Sequence, residues 1–139
     1  MIVLDTNVLS ELVRQAPERA VLAWLDSLAA TDLATTAVTA ADLYYGVARL
    51  PSGRRRSALA AAVRALLAED FAGRVLPFDA EAAEACASVV TDRQRLGRPI
   101  ATAAAQIAAI CRSTDATLAT RNIKDFQETG IDLIDPWCM

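Results

Sequence analysis

The chain has 139 residues, of which 54% are hydrophobic and 22% are charged, and this composition excludes a disordered chain. The length allows one compact domain with a real core but not two ordinary domains. The net charge of −3 gives no overall attraction to nucleic acid, so nucleic-acid binding would require a local basic surface or bound metal ions.

Five short apolar segments predict β-strands, and they lie at Ile2–Asp5, Leu33–Thr36, Arg74–Pro77, Thr117–Thr120 and Ile131–Ile134. Helical patterns separate them, and the predicted helices begin near Pro17, Thr39, Ser52, Asp79, Ala101 and Asn122. Asp79 has the character of an N-cap, and Gly97 with Pro99 ends the helix that follows it. Short strands alternating with helices predict an α/β fold, with a mainly parallel sheet flanked by helices, in one domain over residues 1–139.

Histidine is absent from the chain, and its three cysteines are Cys86, Cys111 and Cys138. The missing histidines exclude zinc sites with imidazole ligands, Ser/His/Asp triads and Cys/His nucleophiles. Widely spaced free thiols fit a reducing cytoplasm. No basic region precedes the first strand, and no apolar stretch is long enough to span a bilayer. We therefore expect a cytoplasmic protein without a signal peptide or a membrane segment.

Three polar residues follow predicted strands or begin predicted helices. Asp5 ends the first apolar run abruptly, at the kind of sheet edge where ligands gather in open α/β folds, although an N-cap explains it equally well. Asp42 lies three residues after Thr39, as in a capping box, so a cap is its simplest interpretation. Asn122 could cap the short helix after the fourth strand, with Asp125 in the first turn of that helix.

Together these residues predict something more specific than three caps. If the strands are parallel, Asp5, Asp42 and Asn122 converge on one edge of the sheet, and clustered carboxylates favour a bound cation. Mg²⁺ or Mn²⁺ takes oxygen ligands of this kind. Such an ion can lower the pKa of a bound water and hold a phosphodiester during in-line attack. A chain without histidine could carry out hydrolysis in this way.

Five segments of the chain carry a family resemblance, and they are MIVLDTNVLSEL, TAADLYYGVARLP, GRPIATAAAQIAAI, ATLATRNIKDF and IDLIDPW. They resemble, in the expected order, the PIN-domain ribonucleases, and most of all the VapC-type and FitB-like toxins of bacterial type II toxin–antitoxin systems. The resemblance implies a Rossmann-like α/β/α fold and a divalent metal site. It also implies RNA cleavage, a homodimer and a cognate antitoxin that blocks the site.

The resemblance assigns roles to four positions in the candidate site. Asp5 matches the first metal-site aspartate, and Asp42 matches an acid that is usually Glu in the TxxEL motif. Asn122 stands where relatives carry Asp or Asn after Thr-Arg. Ala104 falls where relatives carry the central aspartate, so a metal ligand is lost there and this exact sequence is expected to be inactive. A natural pseudo-enzyme and an introduced Asp-to-Ala change both explain Ala104, and the intact surrounding motif favours the introduced change.

Several other residues are candidates for contacts with partners. Arg112, Arg121 and Lys124 are predicted to flank the mouth of the site, where they could contact RNA. Arg54–Arg56 is most simply a solvated helix start, but this segment together with Tyr45 is also where an antitoxin is expected to bind.

Two further hypotheses remain open for this chain. The first is a PIN-like module that binds RNA or an antitoxin without catalysis. The second is a flavodoxin-like signalling domain with Asp5 as the phosphoacceptor. This second hypothesis ranks last, because the expected second acid at the first strand and the lysine at a late strand end are missing.

Overall fold

Five short parallel strands form the centre of the protein, which is described here by a computed structural model of residues 1–139. The strands are β1 (Ile2–Leu4), β2 (Leu33–Thr36), β3 (Val75–Leu76), β4 (Thr117–Ala119) and β5 (Leu133–Ile134). All five coincide with predicted strands, and the observed ones are equal to or shorter than the predicted segments.

Seven α-helices surround the sheet, and they are α1 (Thr6–Glu11), α2 (Arg19–Asp26), α3 (Ala37–Ala48), α4 (Arg54–Ala65), α5 (Ala80–Arg95), α6 (Thr102–Ser113) and α7 (Ile123–Phe126). A π-helical turn, Leu66–Asp70, extends α4, and short 3₁₀ turns occur at Ala30–Asp32 and Pro136–Cys138. Asp79 caps α5 as predicted, because its carboxylate accepts a hydrogen bond of 2.9 Å from the backbone N–H of Ala82.

The strand order is β3-β2-β1-β4-β5, and every neighbouring pair is parallel. The chain winds outward in one direction from β1 through β2 to β3, and then returns to the other side of β1 for β4 and β5. This reversal places a crevice between the carboxyl ends of β1 and β4, where open α/β sheets bind their ligands. The predicted α/β fold is confirmed.

Two apolar clusters cover the two faces of the sheet. Consecutive residues of β1 divide between them, because Val3 packs with Leu118 on one face and Leu4 packs with Ala119 on the other. Helices α5, α6 and α7 cover the Val3 face, and α1, α2, α3 and α4 cover the Leu4 face. Alternate side chains of a strand point to opposite faces, so strands buried on both sides must be apolar throughout.

The start of α3 differs from the sequence prediction. The helix begins at Ala37 and not at Thr39, because the Thr36 hydroxyl oxygen caps it by accepting a 3.0 Å hydrogen bond from the Thr39 backbone N–H. Asp42 therefore lies in the helix interior, and its interpretation as a cap partner of Thr39 is wrong. Tyr44 and Tyr45 of α3 are both exposed, Tyr45 to 67%, so neither packs in the core.

The three cysteines are free, with Cys111 buried, Cys86 half-buried and Cys138 exposed. None of the helices combines the length and apolarity that a membrane crossing requires.

Candidate active site

Asp5 occupies the crevice between the ends of β1 and β4. The residue is only 5% exposed, and hydrogen bonds fix both of its carboxylate oxygens. Oδ1 accepts from the Thr6 backbone N–H at 2.8 Å, which makes Asp5 the N-cap of α1. Oδ2 accepts from the Thr120 hydroxyl at 2.7 Å and from the Asn7 amide at 3.3 Å. Asp5 is therefore both a helix cap and an acid held at the ligand-binding edge of the sheet.

The electrostatic surroundings of Asp5 favour a nearby cation. Burial raises the pKa of the Asp5 carboxyl above its ordinary value, and the negative charge of Asp42 raises it further. Hydrogen bonds from Thr120, Thr6 and Asn7 lower it, but the pKa stays raised. A positive ion beside the two carboxylates would remove this penalty, because opposite charge favours the ionised form.

Asp42 reaches the same crevice from α3, the helix that follows β2, the strand beside β1. Its Oδ2 accepts a 3.0 Å hydrogen bond from the Thr6 hydroxyl, while the backbone N–H of Thr6 donates to Asp5. Thr6 thus bridges the two acids and holds them on one side of the crevice. Unlike Asp5, Asp42 is exposed, so the pair combines one buried carboxylate with one that faces solvent.

Ala104 lies in the first turn of α6, half-buried against the cluster on the Val3 face of the sheet. It shares a helix face with Ala108 and Cys111, which are four and seven residues further on and are fully buried. Burial raises the pKa of the Cys111 thiol to about 12, and the negative charge of Asp5 contributes to the rise. Because α6 runs antiparallel to the strands, its first turn, with Ala104, is at the carboxyl edge of the sheet. The methyl group of Ala104 offers no ligand there.

Thr120 is the residue that sequence reasoning missed. Its hydroxyl is fully buried and donates to Asp5, and it also accepts from the backbone N–H of Asn122 at 3.0 Å and the Asn7 amide at 3.4 Å. Asn7 in turn accepts from the Arg121 backbone N–H at 3.0 Å through its side-chain oxygen. Asn7 lies three residues after the end of β1 and Thr120 directly follows β4, and these polar residues near two strand ends are the only sequence signal for this network.

Asn122 joins the site through its backbone. Its side chain is exposed and makes no capping hydrogen bond to α7, so the interpretation of the Asn122 side chain as a helix cap is wrong. The backbone N–H that bonds Thr120 places the residue at the rim of the crevice. Asp125 is exposed on α7.

The three basic residues predicted to flank the mouth do not lie together. Arg121 lies two residues after the end of β4, with its guanidinium 4.9 Å from the centre of the Trp137 ring, and Lys124 is exposed on α7. Arg112 is at the other end of α6, next to Thr117 where β4 begins, and its nearest acid is Asp92 at 3.9 Å. The placement of Arg112 at the mouth is therefore wrong, because a helix antiparallel to the strands carries its last turn to the opposite edge of the sheet.

The residues present fit a divalent ion only in part. Asp5 and Asp42 supply two carboxylates, the number with which Mg²⁺ is often held while it keeps several waters. Each still has a carboxylate oxygen that is free or singly bonded. No group of three acidic or other metal-ligating side chains is present. The crevice therefore offers two carboxylates, and the alanine at position 104 adds no third ligand.

Comparison with known proteins agrees with this geometry. The PIN domain family model matches residues 2–131. A VapC ribonuclease of Sinorhizobium fredii is 40% identical over 137 residues, which cover 99% of this chain and 98% of the relative. Toxin FitB of Neisseria gonorrhoeae is 39% identical, covering 99% of both chains. The crystal structure of FitAcB from Neisseria gonorrhoeae superposes with a TM-score of 0.93 at 38% identity, covering both chains completely.

A family match over almost the whole chain, supported by relatives near 40% identity, establishes membership. The chain belongs to the PIN domain family, in the group of VapC- and FitB-type toxins.

Proposed function

We propose that this protein is the toxin of a type II toxin–antitoxin pair, built as a metal-dependent endoribonuclease and inactive in its present sequence because residue 104 is alanine. One observation carries the proposal. A buried aspartate at the switch point of the sheet is bridged through Thr6 to a second carboxylate, in a chain with no histidine for other hydrolytic chemistry. The ribonuclease and toxin relatives support the same function.

Asp5 and Asp42 are the residues that would hold Mg²⁺ or Mn²⁺. When bound, such an ion supplies an activated water and charge stabilisation at the scissile phosphate. Thr120 and Asn7 keep the Asp5 carboxylate in one orientation, and Thr6 sets the spacing between the acids. Arg121 and Lys124 are the basic residues on the site's edge of the sheet and are the candidates for contact with RNA phosphates.

The partner that fits this chain is an antitoxin protein. The solved structures that are similar to this chain include FitAcB from Neisseria gonorrhoeae and VapBC2 from Rickettsia felis. An open apolar groove of about 520 Å³ lies between α1, α2 and the end of α4. Its lining includes Leu12, Leu28, Leu66 and Phe71, of which only Leu12 is exposed, and an apolar groove of this kind can receive the apolar side chains of a partner protein. We place the antitoxin in this groove, beside the C-terminal end of α4, whereas Arg54–Arg56 lies at the opposite end of that helix.

We further propose a homodimer, as the family resemblance implies. Sedimentation velocity should give a species of twice the 14.8 kDa chain mass. The toxins that this chain resembles are encoded in operons with their antitoxins, so the neighbouring gene is the candidate source of the antitoxin. Only monomers at high concentration, with and without the product of that gene, would contradict the homodimer.

A second candidate function, a binding module without catalysis, is favoured by Ala104 alone. Expression of the Ala104→Asp variant in cells without antitoxin separates the two. Growth arrest that is relieved by co-expression of the neighbouring gene supports the disarmed toxin, and unimpaired growth supports the binding module. The unmodified chain is the matched control and should not arrest growth.

A further inference from the structure

Arg93 is a buried cation outside the site already described. It lies in the last turn of α5 and is only 5% exposed, yet no carboxylate lies within salt-bridge distance. Burial of an unpaired charge is costly unless hydrogen bonds compensate for it. Arg93 makes three such bonds, all to backbone carbonyl oxygens. Its guanidinium therefore connects separate backbone segments and does not neutralise a carboxylate.

The three carbonyl groups belong to two segments. The Arg93 Nε donates to the carbonyl oxygen of Arg98 at 2.7 Å, and its Nη1 donates to those of Asp125 at 3.0 Å and Gln127 at 2.9 Å. Asp125 and Gln127 lie at the C-terminal end of α7, where free carbonyl groups favour a positive charge. A guanidinium suits this role, because its rigid fork can serve several acceptors at fixed angles.

Both segments lead into the candidate metal site. Residue 98 lies in the loop from α5 into α6, and the first turn of α6 carries Ala104. Helix α7 follows Asn122, whose backbone N–H bonds the Thr120 hydroxyl, and that hydroxyl bonds Asp5. A continuous set of contacts therefore runs from Arg93 through α7 and Thr120 to the Asp5 carboxylate.

We infer that Arg93 is a positioning residue for the metal site. It holds the α5–α6 loop and α7 in one arrangement and so fixes positions 104 and 122 relative to Asp5. We call Arg93 and its three hydrogen bonds to backbone carbonyl groups the clamp. The inference rests on the proposed function, because it assigns the clamp a purpose at the metal site. A side chain that is important only for core stability would lower the stability of the whole molecule without a selective effect on the two segments.

The test uses the Ala104→Asp protein as parent and compares Arg93→Met and Arg93→Lys with Val63→Ala. Val63 is buried in the cluster on the Leu4 face of the sheet, so its truncation lowers stability on the side of the sheet that the clamp does not touch. Hydrogen exchange monitored by mass spectrometry reports protection in residues 98–104 and 122–127. Calorimetry with Mn²⁺ reports the metal Kd.

Arg93→Met should lose protection selectively in the two segments and weaken Mn²⁺ binding about tenfold, as changes behind metal ligands often do. Arg93→Lys should fall between Arg93→Met and the parent, because an ammonium group cannot serve all three carbonyl groups at the guanidinium's angles. Val63→Ala should lower Tm and leave both the local protection pattern and the Kd within about twofold of the parent. If Arg93→Met does not fold, Arg93→Lys alone decides the result.

An Arg93 variant that matches Val63→Ala in both measurements would overturn the inference. A failure of the proposed function gives a different result: the Ala104→Asp parent itself would bind no Mn²⁺. In that case selective loss of protection in the two segments still supports the clamp, and uniform loss across the chain overturns it.

Discussion

At the scale of single residues, Asp5 combines two roles that the sequence could not separate. It caps α1 through Oδ1 and accepts hydrogen bonds from Thr120 and Asn7 through Oδ2, at the carboxyl edge of the sheet. Its burial beside Asp42 raises its pKa, and an acid kept in an unfavourable environment is typical of sites that are built for a charged ligand.

The raised pKa predicts a pH-dependent effect of Asp5→Asn in the absence of metal. The folded protein binds the Asp5 proton more tightly than the unfolded chain does, so ionisation of Asp5 costs stability as the pH rises through its folded-state pKa. Asp5→Asn should therefore gain Tm relative to the parent as the pH rises to 7, since asparagine carries no charge and caps helices as well as aspartate. The gain should shrink as the pH falls toward the ordinary value of 3.8.

Thermal unfolding in chelator, followed by circular dichroism from pH 7 to pH 4, measures this effect. Glu84→Gln is the matched control, because it removes a charge from an exposed residue on α5. Its effect on Tm should not change with pH in this way. A gain for Asp5→Asn that is independent of pH would contradict the assignment of the stability cost to Asp5 ionisation.

Contacts between distant residues explain why some single-residue predictions were wrong. Thr6 and Asp42 are 36 residues apart, so no local pattern could distinguish a cap from a tertiary hydrogen bond. The predicted position of Arg112 at the mouth was wrong for a similar reason, because it depended on the direction of α6 relative to the sheet. Asp5, in contrast, was predicted correctly at the sheet edge. It directly follows an apolar strand, so its position depends only on where that strand ends.

At the scale of secondary-structure elements, apolar runs and capping residues were enough to predict most strands and helices. All five strands follow from short apolar runs, and α5 was predicted from Asp79 and Gly97. The early start of α3 could not be predicted in this way, because Thr36 serves at once as the last strand residue and as the helix cap.

Removal of the α5 cap should destabilise the protein by a predictable amount. Asp79→Ala removes the acceptor for the Ala82 N–H and should lower the free energy of unfolding by about 1 kcal/mol. Asp79→Asn keeps an acceptor in place and should stay within a few tenths of the parent. Urea unfolding checks both variants, and equal losses for the two would show that the carboxylate charge matters and the cap does not.

At the scale of the whole molecule, strand order explains the location of the site. The order β3-β2-β1-β4-β5 brings residues 5, 42 and 122 to one edge, although no two of them are close in sequence. The parallel sheet was predictable from the alternation of strands and helices, but the groove between α1, α2 and α4 was not, because it depends on how three helices pack.

The groove predicts which surface substitutions should affect antitoxin binding. Leu12 is 38% exposed in the groove, whereas Tyr45 lies outside its lining. Leu12→Asp should weaken binding of the neighbouring gene product at least tenfold, because it places a charge in an apolar interface, and Tyr45→Ala should have a smaller effect. Titration calorimetry measures both variants. A larger loss for Tyr45→Ala would move the antitoxin to the Tyr45 surface.

In the proposed function one missing carboxylate separates this chain from an active nuclease, and in vitro cleavage of RNA by the Ala104→Asp protein tests this most directly. We predict no cleavage by the unmodified chain and cleavage by the Ala104→Asp protein that requires Mg²⁺ or Mn²⁺ and stops in chelator. Asp5→Asn on the same background should abolish the activity again, because it keeps the size of the side chain and removes its charge. If the Ala104→Asp protein binds metal and still leaves RNA intact with either ion, the nuclease assignment is contradicted.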